Sequence, residues 1–166
     1  MVKPDMGVAK SVGLGLVAGF AGTGVMTAYQ LGVSKLRGQP LETAVPHRWS
    51  DAPAPAQAAK RAADAVGQGR RLTRKDVPVL TDAVHWLYGV GWGALYGVVA
   101  RSRGVGPVGG GLAFGTGVWA TSYLGLVPLG IYKAPWQYPP REISLDLSYH
   151  LVYGVAVAGA AAALER

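Results

Sequence analysis

The chain has 166 residues, of which 50% are hydrophobic, 15% are charged and 25 are glycine. This length fits one domain, and so little charge with so much glycine argues against an ordinary water-soluble protein. The absence of cysteine excludes disulfides and thiolate metal sites, and the net charge of +7 lies mostly beside apolar segments. That placement favours a lipid bilayer with anionic headgroups, and no nucleic acid, as the partner.

Four apolar runs follow one another along the chain, at residues 11–33, 77–100, 104–132 and 143–164. Each exceeds the roughly 20 residues that an α-helix needs to cross a bilayer core. The first and third contain no charged residue. The sequence therefore predicts an all-α fold, a four-helix transmembrane bundle, with residues 1–166 forming a single integral membrane domain.

Two pairs of runs share motifs. The first and third carry Gly-Thr-Gly-Val, at residues 22–25 and 115–118, and the second and fourth carry His-x-x-Tyr-Gly-Val, at residues 85–90 and 150–155. The bundle is thus expected to consist of two parallel helical-hairpin repeats, formed by helices 1–2 and 3–4. Because each copy spans the membrane twice, both enter from the same side, and an approximate two-fold axis along the membrane normal should relate them.

Small residues recur at helical spacing, and in lipid they mark faces where helix backbones approach each other. We expect the second and fourth spans to cross along Gly89, Gly93 and Gly97 on one side and Gly154 and Ala158 on the other, and to splay at their histidine ends. The glycines of the Gly-Thr-Gly motifs are also interpreted as packing residues, since no strand precedes them as in a phosphate-binding loop. These are Gly22, Gly24, Gly115 and Gly117.

Residues 34–76 form a basic extramembrane loop. Within it, Asp51 is a candidate N-cap for a short amphipathic helix that reaches about Val66 and ends at Gly67. A basic cluster that suits lipid headgroups precedes the second span, and it consists of Arg70, Arg71, Arg74 and Lys75. This loop and the one before the fourth span hold 11 of the 16 Lys and Arg residues. The positive-inside rule therefore places both loops in the cytoplasm.

Titratable side chains inside the spans are the candidates for function, because ionisable groups are costly in lipid. His85 and His150 take equivalent places in the two hairpins, and each follows an aspartate on the same helix face, by three and four residues respectively. We expect one polar cavity lined by these side chains and their neighbours: Asp82, His85, Tyr88, Glu142, Asp146, His150 and Tyr153.

Three interpretations of the cavity stay open. The first is the handling of small molecules, ions or protons, since histidine titrates near neutral pH. In the second, His85 and His150 ligate a haem iron or, with the aspartates, a divalent metal in a redox protein. In the third, the Asp–His pairs only clamp helices and fix their register, and the chain is a homo-oligomer or a structural or accessory subunit whose glycine faces dock a larger membrane complex. We expect no enzyme activity, because Ser148 shares one helix with His150 and Asp146, which precludes a hydrolytic triad.

The second half of the chain resembles the YagU-type inner-membrane family of small multispanning bacterial proteins. The likeness rests on residues 128–130, 135–136 and 150–152, and in the first half on His85 followed by Tyr96-Gly97. It implies a multi-pass protein of the bacterial inner (cytoplasmic) membrane, a loose association with acid tolerance and no established biochemical activity. It also implies a cytoplasmic C-terminus, which opposes the orientation that the Lys and Arg count predicts.

Overall fold

The computed structural model describes residues 7–38, 45–99 and 106–166, and within these ranges the chain is helical without any strand. This confirms the all-α prediction. By length and composition, two of the long helices are able to cross a membrane, namely the first and the last. The helices are α1 (Val8–Leu36), α2 (Ala54–Ala65), α3 (Val77–Val99), α4 (Pro107–Leu126) and α5 (Pro140–Leu164).

Helices α1 and α3 approach each other along glycine. A Cβ atom at Gly19 would lie 2.9 Å from the carbonyl oxygen of Gly89 and 2.9 Å from the Cα of Gly93. Helices α4 and α5 meet in the same manner, since a Cβ at Gly111 would lie 2.7 Å from the Cα of Val155. No larger side chain fits at such distances, so glycine is what permits the backbones to come together.

The glycine stripe of α3 does not face the helix that the sequence predicted. Gly93 packs on the backbone of Gly15 and Gly19 in α1, whereas α3 and α5 touch only sparsely. Helix α5 instead crosses α1, where Gly22 lies against Tyr153. The predicted crossing of the second and fourth spans is therefore wrong, because a stripe of small residues specifies a face for close approach but not the partner.

Two of the glycines predicted to pack do not serve a helix contact. Nothing lies within 4 Å of a Cβ at Gly117, and at Gly24 only the Trp86 ring does, at an ordinary 3.8 Å. Gly22 and Gly115, two residues earlier, both contact α5. Residues two apart on a helix point about 200° apart, so the two glycines of one motif cannot face the same neighbour.

The basic loop folds onto the start of α3. Asp51 lies in a separate 3-10 turn and Pro53 directly precedes α2, so Asp51 is not its N-cap. Gly67 follows the helix with a φ of +72°, a backbone conformation that favours glycine. Ala52, Ala56 and Val77 form a small buried cluster, which docks α2 on α3. Of the basic residues counted for orientation, Lys3, Arg101 and Arg103 lie outside the described residues.

Candidate functional site

One small cavity lies between the long helices, and both His85 and His150 line it. Its volume is about 50 Å³, enough for a few water molecules. Each long helix contributes to its wall, which consists of Thr23, Met26, His85, Tyr88, Gly89, Val118, His150 and Tyr153. Four of the seven predicted cavity residues, including both tyrosines, therefore meet at one place.

His85 is held by α1. Its Nε2 lies 3.3 Å from the hydroxyl of Thr27, and this hydroxyl donates to the backbone carbonyl oxygen of Thr23 at 2.9 Å. The expected hydrogen bond from His85 to the Asp82 carboxylate is not formed within the described part of the chain, and the Asp82 side chain is exposed. The register of α3 beside α1, and not a carboxylate, thus sets the orientation of the His85 ring.

His150 belongs to a second polar group, centred on Asp146. The Nδ1 of His150 lies 2.9 Å from the backbone carbonyl oxygen of Asp146 and 3.9 Å from its carboxylate Oδ1. The other carboxylate oxygen, Oδ2, accepts hydrogen bonds from the indole N–H of Trp119 at 2.9 Å and the hydroxyl of Tyr123 at 3.0 Å. Asp146 is therefore stabilised by two neutral donors of α4 and stands at ion-pair distance from His150.

Tyr123 connects this polar group to the loop before α5. Its ring centroid lies 5.0 Å from that of Tyr132 and 6.2 Å from that of Tyr138. Burial raises the pKa of Tyr132, and the Asp146 carboxylate raises that pKa further. The Tyr132 side chain consequently stays a neutral phenol at physiological pH.

Glu142 is not part of the cavity, and neither is Asp82. Glu142 lies in the first turn of α5, where its side chain is exposed. Both carboxylates lie toward the histidine end of their helices, at positions that the neighbouring helices leave exposed. An unpaired carboxylate is more stable in contact with water than buried, which explains why these two face outward.

The basic cluster lies on the surface of the loop. Its residues occupy two successive 3-10 turns, Gly69–Arg71 and Arg74–Asp76, and all four side chains are exposed. Arg74 donates a hydrogen bond to the backbone carbonyl oxygen of His47. The cluster therefore follows the loop surface next to the start of α3.

The cavity does not suit the cofactors considered from the sequence. A volume of about 50 Å³ is far below the several hundred Å³ of a typical cofactor pocket, so a haem does not fit. The described residues contain no group of three or more His, Asp and Glu side chains that could hold a metal ion. Since Trp119 and Tyr123 engage Asp146, the two imidazoles leave a divalent ion short of protein ligands.

Three participants were missed by the sequence analysis, namely Thr27, Trp119 and Tyr123. Each continues a packing stripe by steps of four residues: Thr27 follows Gly19 on α1, and both aromatic residues follow Gly115 on α4. Residues four apart share a helix face. Extending the small-residue stripes toward the histidine ends was the signal that could have identified these side chains.

No protein-family model, curated protein or solved structure matches the chain. The resemblance to the YagU-type family therefore stays a prediction. The cavity, its hydrogen bonds and the surface of the helices are the observations from which a function can be inferred.

Proposed function

We propose that this chain is a multi-pass membrane protein that handles protons or small ions through the cavity shared by His85 and His150. The observation that carries the proposal is that both imidazoles line one cavity, which has room for a few water molecules and receives side chains from all four long helices. Ionisable side chains inside a membrane bundle are costly and mark functional sites. The small volume selects protons, water and small ions over larger substrates.

The exterior of the long helices supports a lipid environment. Large apolar side chains are exposed along α1, α3 and α4, as with Phe20 at 61%, Leu87 at 73% and Leu124 at 74%. The helix contacts are instead made by glycine and alanine, and Ala18 is fully buried. Water would disfavour such extensive apolar exposure. In a bilayer, acyl chains solvate the large side chains, and the small ones permit close packing.

We infer that α3 and α4 cross the bilayer beside α1 and α5. They contain 23 and 20 residues, which at 1.5 Å per residue extend about 34 Å and 30 Å, close to the thickness of a hydrocarbon core. Their glycine, tryptophan and tyrosine residues lower the mean hydropathy of both helices. The same residues are common in membrane helices, where glycine permits packing and aromatic rings suit the interface.

Equivalent contacts support a bundle of two hairpin repeats. Gly19 of α1 lies against Gly89 of α3, and Gly111 of α4 lies against Gly154 of α5. Gly89 and Gly154 occupy the same place in His-x-x-Tyr-Gly-Val. We infer that Gly19 corresponds to Gly111. This correspondence of α1 and α4 differs by one residue from the one obtained by aligning their Gly-Thr-Gly motifs.

The geometry also supports access to the cavity from the loop side. His85 and His150 lie in the first halves of α3 and α5, both of which begin at the loops. Toward the other ends, fully buried Ala18 and Val157 pack with partly buried Trp92 and Phe114. This apolar layer separates the cavity from the opposite surface. With the family resemblance, we propose the bacterial inner membrane as the location.

Proton flux into vesicles tests the proposal. Purified protein is reconstituted into phosphatidylethanolamine–phosphatidylglycerol vesicles that contain a pH-sensitive dye, with potassium and valinomycin clamping the membrane potential. We expect the wild type to dissipate an imposed pH gradient faster than empty vesicles, and the double variant His85→Ala/His150→Ala to fall to the empty-vesicle rate.

His47→Ala is the matched control, because His47 is exposed in the loop and its loss should leave the flux unchanged. Circular dichroism and size-exclusion chromatography check that each variant is folded. Equal flux in the wild type and the folded double variant would contradict the proposal.

A further inference from the structure

We propose that His85 and His150 together form a binding site for a single proton, and that in the neutral site the two rings carry their protons on opposite nitrogens. The inference deepens the proposed function, since it specifies the ligand and the occupancy of the same cavity. It rests on hydrogen-bond geometry around each ring.

The ring proton of neutral His85 is placed by Thr27. The Thr27 hydroxyl has one proton, and it donates that proton to the carbonyl oxygen of Thr23 at 2.9 Å. Toward the His85 Nε2, 3.3 Å away, this hydroxyl is therefore an acceptor. With the hydroxyl proton donated to that carbonyl oxygen, the ring proton of His85 is assigned to Nε2, which leaves the lone pair of the neutral ring on Nδ1.

The ring proton of neutral His150 is placed by the backbone of its own helix. Its Nδ1 lies 2.9 Å from the carbonyl oxygen of Asp146, and a carbonyl oxygen only accepts hydrogen bonds. The Nδ1 of His150 must carry the proton, so the lone pair of this neutral ring is on Nε2. The two rings thus differ in tautomer although they occupy equivalent motif positions.

Both basic nitrogens remain available to a proton. Neither the Nδ1 of His85 nor the Nε2 of His150 accepts a hydrogen bond from the described residues. Among the same residues no buried side-chain nitrogen or oxygen lacks a partner, so both lone-pair nitrogens must keep accessible surface. Because the two rings line one cavity with room for a few water molecules, water that enters it can carry a proton to either of them.

Electrostatics limits the site to one proton. Two imidazolium ions across a cavity of about 50 Å³ repel each other strongly, since few water molecules screen them. The Asp146 carboxylate, whose Oδ1 lies 3.9 Å from the Nδ1 of His150, carries a charge opposite to that of a bound proton. The other titratable groups around the pair are Asp82 and Tyr88 on α3, Tyr123 on α4 and Tyr153 on α5, and α1 contributes the uncharged Thr23, Met26 and Thr27.

Nitrogen-15 NMR of the full chain tests the inference. Protein labelled at histidine is placed in phosphatidylethanolamine–phosphatidylglycerol nanodiscs and titrated, because the 15N shifts separate protonated from unprotonated ring nitrogens. At high pH we expect one Nε2–H ring and one Nδ1–H ring from the pair of His85 and His150, beside the signals of His47. On acidification one ring should charge first, with its proton bound at least about tenfold more tightly than that of the second ring.

Matched variants assign the signals. His47→Gln removes the third histidine, which is exposed in the loop and serves as the reference in the wild type. Thr27→Val deletes the acceptor of His85, so the His85 ring should become a mixture of tautomers while His150 stays unchanged. Asp146→Asn keeps the backbone carbonyl and should preserve the His150 tautomer, but it should weaken binding of the first proton.

Identical tautomers on the two span histidines would overturn the inference, and so would both rings titrating together with the profile of His47. The readout needs no transport. Two-step titration with opposite tautomers but no proton flux would sustain this inference and contradict the proposed transport. Flux abolished by the double histidine variant, with one-step titration, would do the reverse.

Discussion

Helix α1 meets α5 by close backbone approach, whereas α3 meets α4 through aromatic rings. On the first side, a Cβ at Gly22 would lie 3.2 Å from the carbonyl oxygen of Tyr153. On the second side, the Phe114 ring lies 6.2 Å from the Trp92 ring and 4.8 Å from the Tyr96 ring, centroid to centroid. A strict two-fold axis relating the two hairpins would make these contacts alike, so the rings break the proposed symmetry.

The cavity lies where the two kinds of contact meet. Tyr153, which is 2% exposed, borders it from the close-packed side, and the exposed Tyr88 borders it from the aromatic side. Glycine contacts bring backbones together and leave no space. Rings hold α3 and α4 apart without filling all the volume between them, which leaves room for water beside His85 and His150.

The largest expected effect comes from the close contacts of α1. A Cβ at Gly93 would lie 2.6 Å from the carbonyl oxygen of Gly15 and 2.6 Å from the amide nitrogen of Gly19. Gly93→Val should therefore lower the free energy of unfolding by about 3 kcal/mol or more, as in severe overpacking. Thermal unfolding in detergent micelles measures the change.

Gly91→Val is the matched control in the same helix, since nothing lies within 4 Å of a Cβ at that position. Its effect should stay within about 0.5 kcal/mol. Comparable losses in the two variants would show that close approach of α1 and α3 does not hold the bundle together.

An intermediate effect should distinguish two tyrosine hydroxyls. Tyr153 donates to the carbonyl oxygen of Gly89 at 2.6 Å in a buried setting, whereas Tyr88 and Ser122 form an exposed hydrogen bond of 3.2 Å. Tyr153→Phe should cost about 1 to 1.5 kcal/mol of unfolding free energy, and Tyr88→Phe less than about 0.5 kcal/mol, because only the first removes a hydrogen bond that is buried. Chemical denaturation of both variants measures the change in unfolding free energy. Equal losses would contradict the expected difference between the close-packed side and the aromatic side of the cavity.

The smallest effect concerns how the two histidine-bearing helices begin. Helix α5 begins after Pro139 without a side-chain cap. Before α3, the Asp76 carboxylate accepts hydrogen bonds from the amide and hydroxyl of Thr73 at 2.7 and 2.9 Å. These bonds lower the pKa of Asp76 in the folded protein, so its contribution to stability is present at neutral pH and is lost as the pH falls through that lowered value.

Asp76→Ala should accordingly lower the unfolding temperature slightly at pH 7, through fraying at the start of α3. The difference from the wild type should disappear in acid, below the ordinary range of a carboxyl group. Unfolding monitored by circular dichroism across this pH range is the measurement. A difference that persists after Asp76 is protonated would assign the effect to something other than the carboxylate.

Local features were predictable, and long-range partners were not. The period of apolar and small residues indicated the long helices, and Gly67 indicated the end of α2. The faces of His85 and His150 followed from the same period. The hydrogen bonds of Asp146 to Trp119 and Tyr123 did not, because they cross from α5 to α4 and depend on the register between two helices.

By itself, the sequence determined the all-α class, the four long helices and, apart from Gly24 and Gly117, the positions at which backbones approach, since run length, residue size and helical spacing are local properties. Only the tertiary structure decided that the glycine stripe of α3 packs on α1, and that both histidines share a cavity while Asp82 and Glu142 remain outside it. The reason is physical: a small-residue face in a helix is compatible with several partners. The choice among them depends on which aromatic and polar side chains fill the remaining space when all four long helices pack together.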